Sequence, residues 1–121
     1  MKIERFEDIE SWKLAREITN QVYKITSTEK FKKDYGLKDQ IQRASISIMA
    51  NIAEGFDSGT NKSFANFLNY SYRSASEVQS LLYIALDQTY ISEKEHNELF
   101  EKLSNLKNLI GGFIKYLKQN N

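Results

Sequence analysis

The sequence predicts an all-α protein, an antiparallel up-down-up-down four-helix bundle. Three observations carry that prediction. The 121 residues include no proline and only five glycines, so almost nothing interrupts a helix. Apolar residues recur at three- and four-residue spacing through four long stretches, the period of a helix with one buried face. Two short connections and one of about ten residues separate these stretches, and such connections set successive helices antiparallel. A single domain over residues 1–121 follows, with helices at about 8–26, 37–56, 61–88 and 92–118.

In the first helix Trp12, Ala15, Ile18, Val22 and Ile25 form the apolar stripe, and Asp8 is placed to cap its start. Lys13, Arg16, Glu17, Asn20 and Lys24 occupy the wet face. Residues 26–36 lose the period and gain lysines, which reads as the longest connection, with a helical turn near Phe31 and with Phe31 and Tyr35 as its anchors.

The second helix is the most apolar element. Residues 44–53 carry no charge; Ile41, Ala44, Ile48 and Ile52 mark one stripe, and Ile46, Met49, Ala50 and Ala53 fill most of the remaining circumference. Apolarity on all sides predicts burial on several sides. A single bundle would leave the outward side as an exposed apolar strip, so self-association through helix two and parts of helices one and three is expected. Residues 56–61 (FDSGTN) supply a turn in which Gly59 can take positive φ, and Thr60 or Asn61 caps helix three.

Helix three shows Phe64, Phe67, Leu68, Ser71, Ala75, Val78, Leu82 and Ala85 on one stripe. Ser92 and Glu95 form a capping box that opens helix four, whose Leu99, Leu103, Leu106, Ile110, Phe113 and Leu117 alternate at four and three like a heptad seam. Gly111 and Gly112 lie mid-helix, where glycine costs up to about 1 kcal/mol relative to alanine, so close approach to another helix or a local bend is expected there.

Helix two also carries a polar seam. Arg43, Ser47, Asn51 and Glu54 recur at four, four and three and stack along one side. Arg43 and Glu54 are about 16 Å apart along the helix, too far to pair with each other. Glu77 and Arg73 on helix three, or groups of another subunit, are the expected partners, because a buried charge is tolerated only when paired. A register-fixing network and a ligand site are the two readings of the seam.

The strings YGLKDQIQRASISIMANIAEG (35–55) and SFANFLNYSYRSASEV (63–78), with the opening FEDIESWKLA (6–15), resemble the four-helix-bundle family of 23S rRNA-intervening sequence proteins. That family includes the accessory protein of diversity-generating retroelements. The pairing of QIQRA with NIAEG is its specific feature and places Gln40, Arg43, Ser47, Asn51, Glu54 and Gly55, with Arg73 and Glu77, at structural or interface positions. The resemblance implies a pentameric ring, and its retroelement relatives imply binding to nucleic acid and to a reverse transcriptase.

Composition narrows the rest. With no cysteine, disulfides, thiolate catalysis and cysteine-ligated zinc are excluded. No apolar run approaches the roughly 18 residues of a membrane span, and the charged start MKIERFEDIE is unlike a signal peptide, so a soluble cytoplasmic protein with no membrane partner is expected. No enzyme, cofactor or metal is expected either. The one histidine, His96, forms a single Glu93-x-x-His96 spacing at an exposed helix start, where a di-metal bundle would need it twice.

The formal charge is +1, yet residues 24–43 hold six basic side chains against three acids. Lys30, Lys32, Lys33 and Lys38, interleaved with Phe31 and Tyr35, are therefore candidates for RNA or DNA contact, with Lys13, Arg16 and Lys24 beside them. The lysines that follow Glu101 read as complements to the helix dipole. Two functions stand open, a nucleic-acid-binding accessory subunit and a protein-interaction scaffold that touches no nucleic acid.

Overall fold

The computed structural model describes residues 3–120. A 3₁₀ turn at Phe6–Asp8 leads into α1 (Glu10–Thr26), a second at Phe31–Lys33 leads into α2 (Tyr35–Phe56), and α3 (Asn61–Asp87) and α4 (Glu93–Gln119) complete the chain. The four helices run up, down, up, down, and each packs on its two neighbours around the ring α1–α2–α3–α4. Among the described residues there is no strand, and no helix is long and apolar enough to cross a membrane.

The starts of the helices show how local chemistry sets their bounds. Ser92 Oγ accepts from Glu95 N at 3.1 Å while Ser92 N donates to Glu95 Oε1 at 2.9 Å, closing the capping box. Thr60, not Asn61, caps α3, its hydroxyl accepting from Ser63 N at 3.1 Å. Helix α2 starts two residues before the expected Leu37, because Asp34 accepts from Leu37 N at 3.1 Å. Asp8 does not cap α1; it lies within the 3₁₀ turn, and Ile9 takes the N-cap position with no side-chain cap bond. Burial of Ile9 to 2% exposure decides the chain's entry there, since a fully buried aliphatic side chain contributes about 1.5–3 kcal/mol and a cap typically about 1.

The core is one continuous cluster. Ile18, Val22, Ile41, Ile48, Ile52, Leu68, Val78, Leu82, Leu103, Leu106 and Ile110 are fully buried in it. Small hydroxyls let the helices approach: Ser71, itself buried, donates to Ile48 O at 2.9 Å across the α2–α3 contact. Thr19 similarly donates to Ala15 O at 2.8 Å, so these buried groups are satisfied, as buried polar atoms must be.

Two expectations are corrected. Phe31 is buried and anchors its loop, but Tyr35 is 70% exposed; the second anchor is Tyr90, whose ring lies 5.1 Å from that of Phe31. A Cβ built on Gly111 or Gly112 would meet nothing within 4 Å, so no close helix approach in this chain explains those glycines. Helix α2 is buried on the side of Leu37, Ile41, Ala44, Ser45, Ile48, Ile52 and Gly55, while Ile46 and Ala50 face outward as the exposed apolar strip expected of a single bundle.

Candidate functional site

The polar seam lies where α2 meets α3. Ser47 Oγ and Ser74 Oγ are 2.9 Å apart across the two helices. Asn51 Nδ2 donates to Ser47 O at 2.8 Å and reaches Ser47 Oγ at 3.0 Å, so the three side chains form one chain of hydrogen bonds. Two turns earlier, Gln40 Nε2 donates to Glu77 Oε2 at 3.2 Å. At the opposite end Gly55 is buried beneath Phe64 and Phe67, and its missing side chain is what lets α3 lie so close. Ser47, Asn51, Ser74 and Glu77, with Phe67, Tyr70 and Arg73, line an open cleft of about 610 Å³.

The charged members of the seam are not paired as expected. Arg43 and Glu54 are exposed, and among the described residues Arg43, Glu54, Arg73 and Glu77 make no ion pair. Glu77 is taken by Gln40 instead of Arg43, and Arg73 lies 6.0 Å over the Tyr70 ring instead of meeting Glu54. The outer surface of α2 therefore presents Arg43, Glu54, Ile46 (45% exposed) and Ala50, next to the Arg73, Glu77 and Tyr70 (55% exposed) of α3, two cations and two anions about exposed apolar groups. A strip that is neutral in sum and apolar at its middle suits association better than ion binding.

The basic candidates do not form one patch. Lys24, Lys30, Lys32, Lys33 and Lys38 sit at the bundle end that holds the 26–35 connection, whereas Lys13 and Arg16 lie at least 12 Å away, by helix rise, toward the other end of α1. Lys13 pairs with Glu10 at 3.4 Å, Arg16 lies 5.9 Å over the Trp12 ring, Lys32 pairs with Glu29 at 2.9 Å, and Lys30 donates to Thr89 at 2.9 Å. Lys38 lies 5.2 Å over the Tyr35 ring. The Lys30–Thr89 contact brings the α3–α4 turn to the same end, and Asp87, Glu93 and Glu95 come with it. The lysines of residues 24–38 thus share their end of the bundle with acids from elsewhere in the chain. Phe31, fully buried, is unable to stack on a base, while Tyr35 is free to do so.

His96, expected at an exposed position, is buried to 5% between the rings of Tyr83 and Phe100, at 4.8 and 5.4 Å. Among the described residues no group of three His, Asp or Glu side chains gathers as a metal set. Sequence reasoning missed Ser74, Tyr70 and Phe67 as walls of the cleft. Their signal was present in YSYRSASEV (70–78), where Tyr70, Ser74 and Glu77 recur at helical spacing on the side that faces α2.

Residues 7–112 match the family described as the 23S rRNA-intervening sequence protein. The fold is similar to that of a solved Bacteroides thetaiotaomicron protein of unknown function from the S23 ribosomal protein family. The TM-score is 0.79, with 24% sequence identity over 87% of this chain and 98% of that chain. No curated protein matches the chain.

Proposed function

The chain belongs to the family of 23S rRNA-intervening sequence proteins, and from that premise we propose that it is a non-catalytic accessory subunit that self-associates through the α2–α3 face and binds nucleic acid. The observation that carries the reading is that face: Ile46 and Ala50 outward on the most apolar helix, flanked by unpaired Arg43, Glu54 and Arg73. Equal numbers of both charges around an apolar centre make the strip complementary to another copy of itself, and a homopentamer is the proposed assembly. Assembly would also multiply each exposed lysine by the copy number, and a ring of modest patches attracts polyphosphate more strongly than one patch does.

Mass measurement by light scattering tests the assembly. The unaltered chain is expected as an oligomer and Ile46→Glu as a monomer. Arg43→Ala and Glu54→Ala should lower the mass while leaving the isolated fold within about 0.5 kcal/mol, because both side chains are exposed. A stable monomer at micromolar concentration would sink the reading.

The acids Asp87, Glu93 and Glu95 at the same bundle end as the loop lysines favour a second reading, a scaffold whose ring engages a reverse transcriptase or another protein and no nucleic acid. Salt dependence separates the two, since phosphate contacts weaken steeply between about 50 and 200 mM salt and an apolar interface does not.

A further inference from the structure

We propose that the groove between α3 and α4, and not the lysine-rich loop, is the track for nucleic acid, and that it takes single strands. The proposal rests on the nucleic-acid reading above. At one end of the groove Lys62 and Lys118 flank an open hollow of about 290 Å³ shared with Asn61 and Asn66. Midway, Lys107 Nζ lies 5.0 Å over the Tyr72 ring and donates to Gln79 Oε1 at 3.1 Å. Further along, Tyr83 is 50% exposed, its ring held against His96 at 4.8 Å and Phe100 at 5.6 Å. From Lys62 to Tyr83 these points span roughly 32 Å of helix.

What distinguishes the stretch of this strip from Lys62 to Lys107 is that its lysines make no ion pair among the described residues. The one acid of α3 before Asp87 is Glu77, which lines the cleft on the other side of the helix and is bonded to Gln40. Beyond Glu101 helix α4 has no acid at all. Among the described residues the four ion pairs are Arg5–Asp8, Lys13–Glu10, Lys32–Glu29 and Lys102–Glu17; none uses Lys62, Lys107 or Lys118. The lysines after Glu101 complement the helix dipole when α4 is considered alone. Packed beside α3, Lys107 and Lys118 stand with Lys62 as separate positive points along one groove, spaced to meet successive phosphates of a backbone.

The aromatics decide the form of the ligand. Tyr72, with Lys107 over one side of its ring, and the half-exposed Tyr83 further along are the groove's stacking surfaces, and a base stacks on such a surface only when it is unpaired. His96 and Phe100 hold Tyr83 from behind, so it stands pre-positioned for stacking.

The test is fluorescence anisotropy of the whole protein with labelled oligo(U), oligo(dT) and a mixed-sequence duplex at about 50 and 200 mM salt. The strands are expected to bind more tightly than the duplex. The combined variant Lys62→Gln, Lys107→Gln, Lys118→Gln should weaken strand binding at least tenfold and reduce the slope of log K against log salt by about 2, from three lost contacts. Tyr72→Ala or Tyr83→Ala should weaken it by about tenfold with the slope unchanged. Lys30→Gln, Lys32→Gln, Lys33→Gln should change little. Full strand binding by the groove variant, preference for the duplex, or a change of oligomer mass in the groove variant would each overturn the track while leaving the nucleic-acid reading standing. No binding of any probe by the unaltered protein at low salt would overturn both.

Discussion

Tyr90 donates its hydroxyl hydrogen to Asp34 Oδ2 at 3.0 Å, while Asp34 Oδ1 accepts from Leu37 N at 3.1 Å. One carboxylate thus caps α2 and ties the α3–α4 turn to it. The hydrogen bond to Asp34, followed by burial and the carboxylate's charge, raises the Tyr90 phenol above its ordinary value of 10.0. The folded state favours the neutral phenol, so this contribution is complete below the ordinary value and is lost as pH rises through the raised one. The difference in melting temperature between the unaltered protein and Tyr90→Phe should be constant from about pH 7 to 9 and shrink above about 10. A difference that grows with alkalinity would contradict the assignment.

Thr89 has φ of +62°, the one non-glycine residue with positive φ among those described. Thr89 N donates to Leu86 O at 3.0 Å and Tyr90 N to Ala85 O at 2.9 Å, which is a Schellman ending with threonine where glycine is usual. A β-branched residue in that conformation costs about 1–2 kcal/mol, set against two exposed hydrogen bonds of its hydroxyl, one accepted from Lys30 and one donated to Gln88 O. Thr89→Gly should therefore stabilise the fold by about 0.5–1 kcal/mol, and chemical denaturation would show it as a higher midpoint at unchanged slope.

Gly55 admits no side chain. A Cβ there would lie 2.7 Å from Phe64 Cδ1 and 2.8 Å from Phe67 Cβ, and the latter atom is fixed to the α3 backbone. Gly55→Ala is expected to destabilise by about 1–3 kcal/mol, the usual cost of overpacking, despite alanine's better helix propensity. A neutral result in denaturant titration would mean that the α2–α3 spacing adjusts freely.

Gly111 and Gly112 behave in the opposite sense. With nothing within 4 Å of an added Cβ, Gly111→Ala and Gly112→Ala should each stabilise the chain by about 0.5–1 kcal/mol. A loss of stability or of oligomer mass would reveal that another copy of the chain covers this part of α4.

The bundle was legible because helix-forming patterns are local. The core stripes of α3 and α4, the Ser92–Glu95 box and the turn at Phe31 all depend on residues within a few positions of one another. Features that depend on distant partners were not legible. Along the chain Phe31 and Tyr35 look equivalent, yet Tyr90 packs on one and leaves the other in solvent. Arg43 and Glu77 look like a pair, yet Gln40 reaches Glu77 first. The candidate site was half visible, since the seam on α2 shows in its spacing but Ser74, which bonds Ser47, lies 27 residues later.

The sequence by itself determined the helix count, the buried stripe of each helix and the presence of a polar seam on an otherwise apolar one, since period and composition encode these without reference to any partner. Only the tertiary structure decided where charge accumulates. Coulomb interactions act through space between groups far apart in the chain, and packing brought Asp87, Glu93 and Glu95 to the bundle end of the loop lysines while, among the described residues, Lys62, Lys107 and Lys118 make no ion pair.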